Sequence, residues 1–247
     1  MGQYNPFTLE GKTILVTGAS SGIGRGIAVA CSKMGAKVFI NGRNEEKLIE
    51  TSSKMEGDCN SIIVGDLISS LKVSEMVRVL PRLDGIVHCA GIGSRVLCKN
   101  ISESDIDQTL GTNFKAPVML QTEILKQKKI NKGASIVFIA SISNDSPSTG
   151  NALYAASKGA LISYANCLHL ELAPRQIRVN CISPAMVWTD LIFKGGLTEE
   201  ELHEDELKYP LKRYGTPEDV ANLALYLLSD ASSWMTGSNI KITGGAK

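Results

Sequence analysis

The apolar residues of this chain fall into short runs, and the runs alternate with stretches of helical spacing. "KTILVTG" (12–18), "KVFING" (37–42), "SIIVGD" (61–66), "GIVHCAG" (85–91), "SIVFIAS" (135–141), "RVNCIS" (178–183) and "NIKIT" (239–243) read as strands. Their apolar positions are continuous, the pattern of strands buried on both faces. Between them, helical spacing covers 23–36, 44–55, 72–80, about 103–127 as one or two helices, the stretch around Tyr154, and 217–229. This alternation predicts an α/β fold: a doubly wound parallel sheet of about seven strands with helices on both faces. No repeat, linker or low-complexity segment divides 1–247, so one domain is expected. Only 185–215, containing "GGLTEEELHEDELKYP", has no clear element. It follows the sixth strand and would hang over the carboxyl ends of the sheet, where such folds bind ligands; a substrate lid near 186–215 is expected.

Composition narrows the function. With 43% hydrophobic residues, 21% charged residues and a net charge of +1, the chain is an ordinary soluble type without the basic surplus that nucleic acid requires. The cysteines at 31, 59, 89, 98, 167 and 181 lack metal-binding or redox spacing, so no metal is expected and the thiols read as reduced. The start, "MGQYNPF", carries no secretory signal, and no apolar run reaches bilayer length. A cytoplasmic protein without a membrane partner is expected.

Two local patterns carry chemistry. "TGASSGIGRG" (17–26) lies between the first strand and the first helix. Gly18 permits a tight turn, Gly22 lets backbone approach a phosphate, and Gly24 allows close helix–sheet packing. The helix N-terminus offers N–H groups and a positive dipole end to a dinucleotide pyrophosphate. The second pattern is "LYAASKGAL" (153–161), which sets Tyr154 and Lys158 four positions apart. On a helix the two stand one turn apart, with Cβ atoms roughly 5–6 Å from each other. An ammonium that close favours phenolate and lowers a phenol pKa from about 10. Alone, the pair reads equally well as a half-buried tyrosine beside a solvated lysine.

Together, T-G-x-x-x-G-x-G, Y-x-x-x-K and the strand-ending serine between them resemble the short-chain dehydrogenase/reductase family, from about residue 9 to the C-terminus. "YPLKRYGTPEDVANLALYLLSD" (209–230) and "MTGSNIKITGG" (235–245) look most like its 3-oxoacyl-(acyl-carrier-protein) reductases. The resemblance implies a Rossmann-type fold with Tyr154 as general acid and Lys158 as its tuner and ribose contact. It also implies Ser141 holding the substrate carbonyl oxygen and Asn113 supporting a proton-relay water. Implied cofactor contacts are Gly18, Ser20, Ser21, Gly22, Ile23 and Gly24 in the loop, Arg43 and Asp66–Leu67 after the second and third strands, and Ala90 and Gly91 after the fourth. Tyr154 and Lys158 join them, with Pro184, Val187 and Thr189 beyond the sixth strand. Asp66 would meet the adenine amino group, or else cap the following helix. Gly42 stands where enzymes preferring NAD(H) carry a carboxylate and Arg43 follows it, so NADP(H) is favoured over NAD(H). Two departures stand out: "HCAG" (88–91) replaces N-N-A-G, and Pro184–Ala185 replaces P-G. His88 reads as a packed strand histidine.

The expected activity is NADPH-dependent reduction of a 3-oxoacyl thioester. The alternatives are a dehydrogenase of a sugar, steroid or other secondary alcohol, or a cofactor-binding protein without activity. Small residues at 155, 156, 159 and 160, together with the resemblance, imply a homotetramer. "KQKKINK" (126–132) and Arg175 would receive an acidic acyl carrier protein, or would simply complement helix ends.

Overall fold

The structure is a computed structural model that describes residues 5–57, 60–196 and 198–246. Cys59, residues 1–4 of the N-terminal stretch and Leu197 of the expected lid lie outside the described residues. Seven strands form one sheet: β1 (Thr13–Thr17), β2 (Lys37–Gly42), β3 (Ser61–Val64), β4 (Leu83–His88), β5 (Ile130–Ile139), β6 (Arg178–Pro184) and β7 (Asn239–Ile242). Their order is β3-β2-β1-β4-β5-β6-β7, and every pairing is parallel.

Continuous apolar runs follow from burial on both faces. Alternate residues Leu15, Ile86, Ile136, Phe138 and Val179 enter one core, beneath α3 (Ser70–Val79), α5 (Ala116–Lys126) and α6 (Ala152–Leu172). Ile14, Val16, Val87, Val137 and Ile182 enter the other, beneath α1 (Gly22–Lys33), α2 (Glu45–Ser52) and α8 (Pro217–Leu228). The chain winds outward from β1 to β3, then crosses to β4 on the other side. The carboxyl ends of β1 and β4 therefore border the switch point, where a crevice opens.

One segment takes the two-helix form left open by the sequence, and two others differ from expectation. The helical stretch 103–127 is α4 (Glu103–Leu110) and α5 separated by a π turn at Gly111–Lys115, inside which Asn113 sits. β5 begins at Ile130, within the basic run, because Leu83 pairs with Ile130 ahead of a register shift to Gly85–Ser135. The segment expected as a lid contains α7 (Glu199–Glu206), capped by a reciprocal Thr198–Glu201 box. Helical spacing was faint there because Leu202 is the one buried residue of α7.

Candidate active site

One hydroxyl joins the ends of β1 and β4. Thr17 donates from Oγ1 to the Val87 carbonyl at 3.3 Å and accepts from the N–H groups of Cys89 at 3.0 Å and Ala90 at 3.2 Å. This fixes Ala90 against the glycine turn so closely that a Cβ on Gly18, whose φ is +66°, would lie 2.7 Å from the Ala90 Cα. A Cβ on Gly24 would lie 2.3 Å from the Gly18 carbonyl oxygen. On Gly22, at φ +53°, it would meet the Thr189 methyl at 3.0 Å. Ser21 begins α1 without a side-chain cap, so the first-turn N–H groups, including that of Ile23, are left for an anion. Ser20 is held through its carbonyl by Arg25 at 2.7 Å, and Arg25 also grips Glu50 with two nitrogens at 2.7 and 2.9 Å. Lys54 and Arg25 hold the Glu50 carboxyl at about 2.

Beyond β2, Asn41 donates to the carbonyls of Ile63 and Gly65 at 3.1 and 3.3 Å, tying the ends of β2 and β3 together. A Cβ on Gly42 would face Leu48 at 3.2 Å and Ser20 at 3.3 Å, a tight place for a larger side chain. Arg43 is exposed beside it. Asp66 accepts from the Ile68 N–H at 3.1 Å, and the cap of α3 is Ser69, so the helix-cap alternative for Asp66 is corrected. Leu67 buries its side chain in the core, which leaves its backbone for any cofactor contact.

Asn113, Tyr154 and Lys158, three of the four residues expected around the reaction, meet at the carboxyl edge, and Ser141 follows the neighbouring β5. A Cβ on Gly91 would lie 3.2 Å from Asn113 Oδ1 and 3.4 Å from Lys158 Nζ, so β4, the π turn and α6 meet at one point. Asn113 is fully buried; its Oδ1 accepts from the Ile92 N–H at 2.8 Å, while Nδ2 donates to the Ile92 carbonyl at 2.9 Å and Ser157 Oγ at 3.0 Å. Ser157 in turn donates to the Tyr154 carbonyl at 2.7 Å. Lys158, 4% exposed, donates to the Ile139 carbonyl at 2.8 Å and stands 5.7 Å from the centre of the half-buried Tyr154 ring. Ser141 follows β5 with its Oγ accepting from the Ser143 N–H at 3.1 Å. At the end of β6, Pro184 is buried, and Val187 pairs with Gly215.

Comparison with known proteins agrees with this geometry. The family described as Enoyl-(Acyl carrier protein) reductase matches residues 18–247. The 3-oxoacyl-(acyl-carrier-protein) reductase FabG of Rickettsia felis is 38% identical over 237 residues, covering 96% of this chain and 97% of the relative. The L-xylulose reductase of Caenorhabditis elegans is 32% identical over 240 residues, covering 95% of each. A short-chain dehydrogenase/reductase of Brucella melitensis, described as SDR:Glucose/ribitol dehydrogenase, superposes with a TM-score of 0.90 at 30% identity, covering 98% of both chains. The chain is a short-chain dehydrogenase/reductase. It is therefore an oxidoreductase of a family that uses NAD(P).

The departures from the family pattern are structural in character. His88 is 2% exposed, stacks on Phe138 at 4.6 Å and bonds Gln121 through Nε2 at 3.0 Å; burial pushes its pKa down to about 4. That is the packed strand histidine expected. Burial pushes the Cys89 thiol up to about 12, against a lowering pull from Lys158. The described cysteines are free thiols, and among the described residues no group of His, Cys, Asp and Glu could hold a metal. No helix of the described residues is long and apolar enough to cross a membrane.

Of the two readings open for the basic residues, the structure shows the helix-end one for Lys129. Lys129 donates to the Arg78 and Leu80 carbonyls at 2.9 and 2.6 Å, and Arg175 donates to the Ile130 carbonyl at 2.9 Å, so both close backbone ends. They lie at the amino edge of the sheet. Along the 21 residues of α6, a rise of about 1.5 Å each puts Arg175 roughly 30 Å from Tyr154 of the same chain.

Sequence reasoning passed over Thr17, Arg25 and Ser157. Thr17 and Ser157 were visible only as small polar residues inside otherwise expected patterns. Arg25 had a readable signal in its place one residue after Gly24, facing the first turn of the loop.

Proposed function

We propose that this short-chain dehydrogenase/reductase is an NADPH-dependent carbonyl reductase whose substrate is a 3-oxoacyl thioester, reduced to the 3-hydroxyacyl form. The observation that carries the reading is the meeting of Tyr154, Lys158 and Asn113 beside a narrow glycine cradle, with Ser141 two residues beyond the Ile139 carbonyl that Lys158 bonds. The cradle fits a dinucleotide. Its first-turn N–H groups are uncapped, and Thr189 stands over Gly22 where a pyrophosphate would be enclosed. Gly18, Ser20, Ser21, Gly22, Ile23 and Gly24 would hold the phosphates. Asp66 and Leu67 would border the adenine, Ala90 and Gly91 the ribose, Pro184 and Val187 the nicotinamide end, and Thr189 the pyrophosphate.

When bound, the reduced nicotinamide supplies hydride to the carbonyl carbon. The Tyr154 hydroxyl gives its proton to the carbonyl oxygen as negative charge grows there. Ser141 Oγ holds the same oxygen. The Lys158 ammonium favours the phenolate that Tyr154 becomes and would also hold the ribose. Asn113 spends its side chain on Ile92 and Ser157, so its part is to fix the π turn and the Gly91–Ile92 backbone around Lys158.

Preference for NADP(H) is supported by the exposed Arg43 and by the cramped, uncharged place at Gly42, where a carboxylate would both crowd Ser20 and repel a phosphate. A homotetramer is supported by Ala155, Ala156, Gly159 and Ala160, which leave α6 open to close approach. If an acyl carrier docks on the basic amino edge, it serves the Tyr154 of a second copy, not that of its own chain. A cytoplasmic location accords with the free thiols. The acidic exposed residues of α7, Glu199, Glu200, Glu201 and Glu204, favour a second reading, a dehydrogenase of a small sugar or polyol that needs no acidic carrier. Turnover of acetoacetyl-CoA against a panel of ketoses and polyols, with NADPH and NADH in parallel, separates the two. Thioester turnover with NADPH is expected; turnover confined to the sugars would reverse the assignment.

A further inference from the structure

Glu206, the last residue of α7, has a side chain 15% exposed and three donors on its carboxylate. Oε2 accepts from the Trp188 indole Nε1 at 2.9 Å and from the Tyr214 backbone N–H at 3.2 Å. Oε1 faces His203 Nδ1 at 2.8 Å, and a carboxylate only accepts, so that nitrogen carries the hydrogen. His203 foremost, then the Tyr214 N–H and Trp188, hold the carboxyl below the usual range against the opposing effect of desolvation. The neighbouring Asp205 accepts from the Tyr214 hydroxyl at 2.7 Å.

Those partners are the two sides of the lid's neck. Trp188 donates its backbone N–H to the Gly215 carbonyl at 2.9 Å, and Gly215 donates to the Met186 carbonyl at 3.0 Å. The Trp188 ring packs against His203 at 4.9 Å and Tyr214 at 5.3 Å. Thr189, the next residue, sits against Gly22 of the glycine loop. A displacement of α7 therefore has a short path to the loop: the Glu206–Trp188 hydrogen bond, the chain from Trp188 to Thr189, and the packing of the Thr189 methyl against Gly22.

We propose that Glu206 is a positioning residue that couples α7 to the Val187–Thr189 segment, so that the seating of the lid helix sets cofactor affinity. The inference rests on the reading that Val187 and Thr189 contact the cofactor. Nothing in it requires Glu206 to touch substrate or cofactor.

The chain has two tryptophans, and Trp234 is fully exposed, so a Trp234→Phe background leaves Trp188 as the only indole reporter. In that background, Trp188 emission, NADPH binding and steady-state kinetics are measured with and without Glu206→Gln. The amide keeps the length of the side chain but turns one acceptor into a donor facing a donor. The expected result is red-shifted Trp188 emission and about tenfold weaker NADPH binding, the loss of roughly one charge-assisted hydrogen bond. The defect should fall on KM for NADPH with kcat nearly unchanged, and Trp188→Phe, which removes only the indole donor, should reproduce the weaker binding. Unchanged emission, or shifted emission with unchanged NADPH affinity, overturns the coupling. If the parent binds neither NADPH nor NADH, the cofactor reading itself fails and the inference falls with it. If the parent binds and Glu206→Gln binds equally well, the inference alone fails.

Discussion

Replacing Asn113 by alanine should cost both stability and activity, for one reason. The side chain satisfies the N–H and the carbonyl of Ile92 and bonds the Ser157 hydroxyl, at 2.8, 2.9 and 3.0 Å, in a fully buried place. Alanine strands the N–H and the carbonyl of Ile92, while the Ser157 hydroxyl keeps its bond to the Tyr154 carbonyl. A buried polar group left without a partner costs about 1–3 kcal/mol. Ile92 is only half-buried and water can reach part of it, so the lower end applies to its two groups. With the lost Ser157 bond the total is then about 2–3 kcal/mol. For a chain of this size, each kcal/mol shifts Tm by roughly 2–4 °C, which gives a fall on the order of 10 °C. Because the same bonds hold Gly91–Ile92 against Lys158, kcat should drop about tenfold or more, since misplacement of about 1 Å at a reacting group is that costly. Thermal unfolding followed by far-ultraviolet circular dichroism, with NADPH turnover on the same preparations, measures both. Asn113→Asp keeps the acceptor for the Ile92 N–H and loses the two donations, so it should fall between wild type and Asn113→Ala. A Tm within 2 °C of wild type in Asn113→Ala, with full activity, would refute the claim that this side chain assembles the site.

Gly24→Ala places a methyl 2.3 Å from the Gly18 carbonyl, and backbone cannot step aside as a flexible side chain would. An overpacking cost of about 1–3 kcal/mol concentrated in the loop should weaken NADPH binding by roughly 10- to 100-fold in fluorescence titration, and a change under twofold would contradict it. Arg43→Ala should raise KM for NADPH about tenfold while leaving KM for NADH unchanged, as expected for loss of a charge-assisted contact to the 2′-phosphate. Equal effects on both cofactors would remove Arg43 from that role. His88 titrates near 4 in the fold against about 6.5 unfolded, so between those values the unfolded chain binds a proton that the fold refuses. Stability therefore rises with pH through that window and is lost as pH falls, by roughly 3 kcal/mol at pH 4 from this group. Urea titrations of wild type and His88→Asn between pH 7 and 4 should show a shallower slope in the variant; identical slopes would mean that His88 is not held neutral.

The sheet was legible because burial on both faces writes itself as unbroken apolar runs, and the helices between the runs force parallel crossovers. The glycine loop was legible because Gly18 and Gly22 adopt positive φ and Gly18 and Gly24 tolerate no Cβ, constraints that leave only one residue type. Helix α7 was not legible because seven of its eight positions are polar, and with only Leu202 buried its periodicity had nothing to register. Its capping pair, Thr198 and Glu201, was the available signal. The π turn at Asn113 was also hidden, since a single added residue per turn leaves no mark on hydrophobic spacing. The basic run at 126–132 left two readings open for a different reason: charge is visible in a sequence, whereas the backbone carbonyls that Lys129 and Arg175 close are not.

The central claim is that Tyr154 is the proton donor of a carbonyl reduction in this site. Its most direct test is Tyr154→Phe, which removes one oxygen from a half-buried ring and leaves the Ser157 bond to the Tyr154 backbone carbonyl in place. Turnover is followed by oxidation of NADPH with acetoacetyl-CoA, and NADPH binding is titrated on the same samples. The account predicts a fall in kcat of at least about a hundredfold, the usual worth of a positioned general acid, with NADPH affinity within a few-fold of wild type. Turnover within a few-fold of wild type in Tyr154→Phe would contradict it and move the proton donor to another residue.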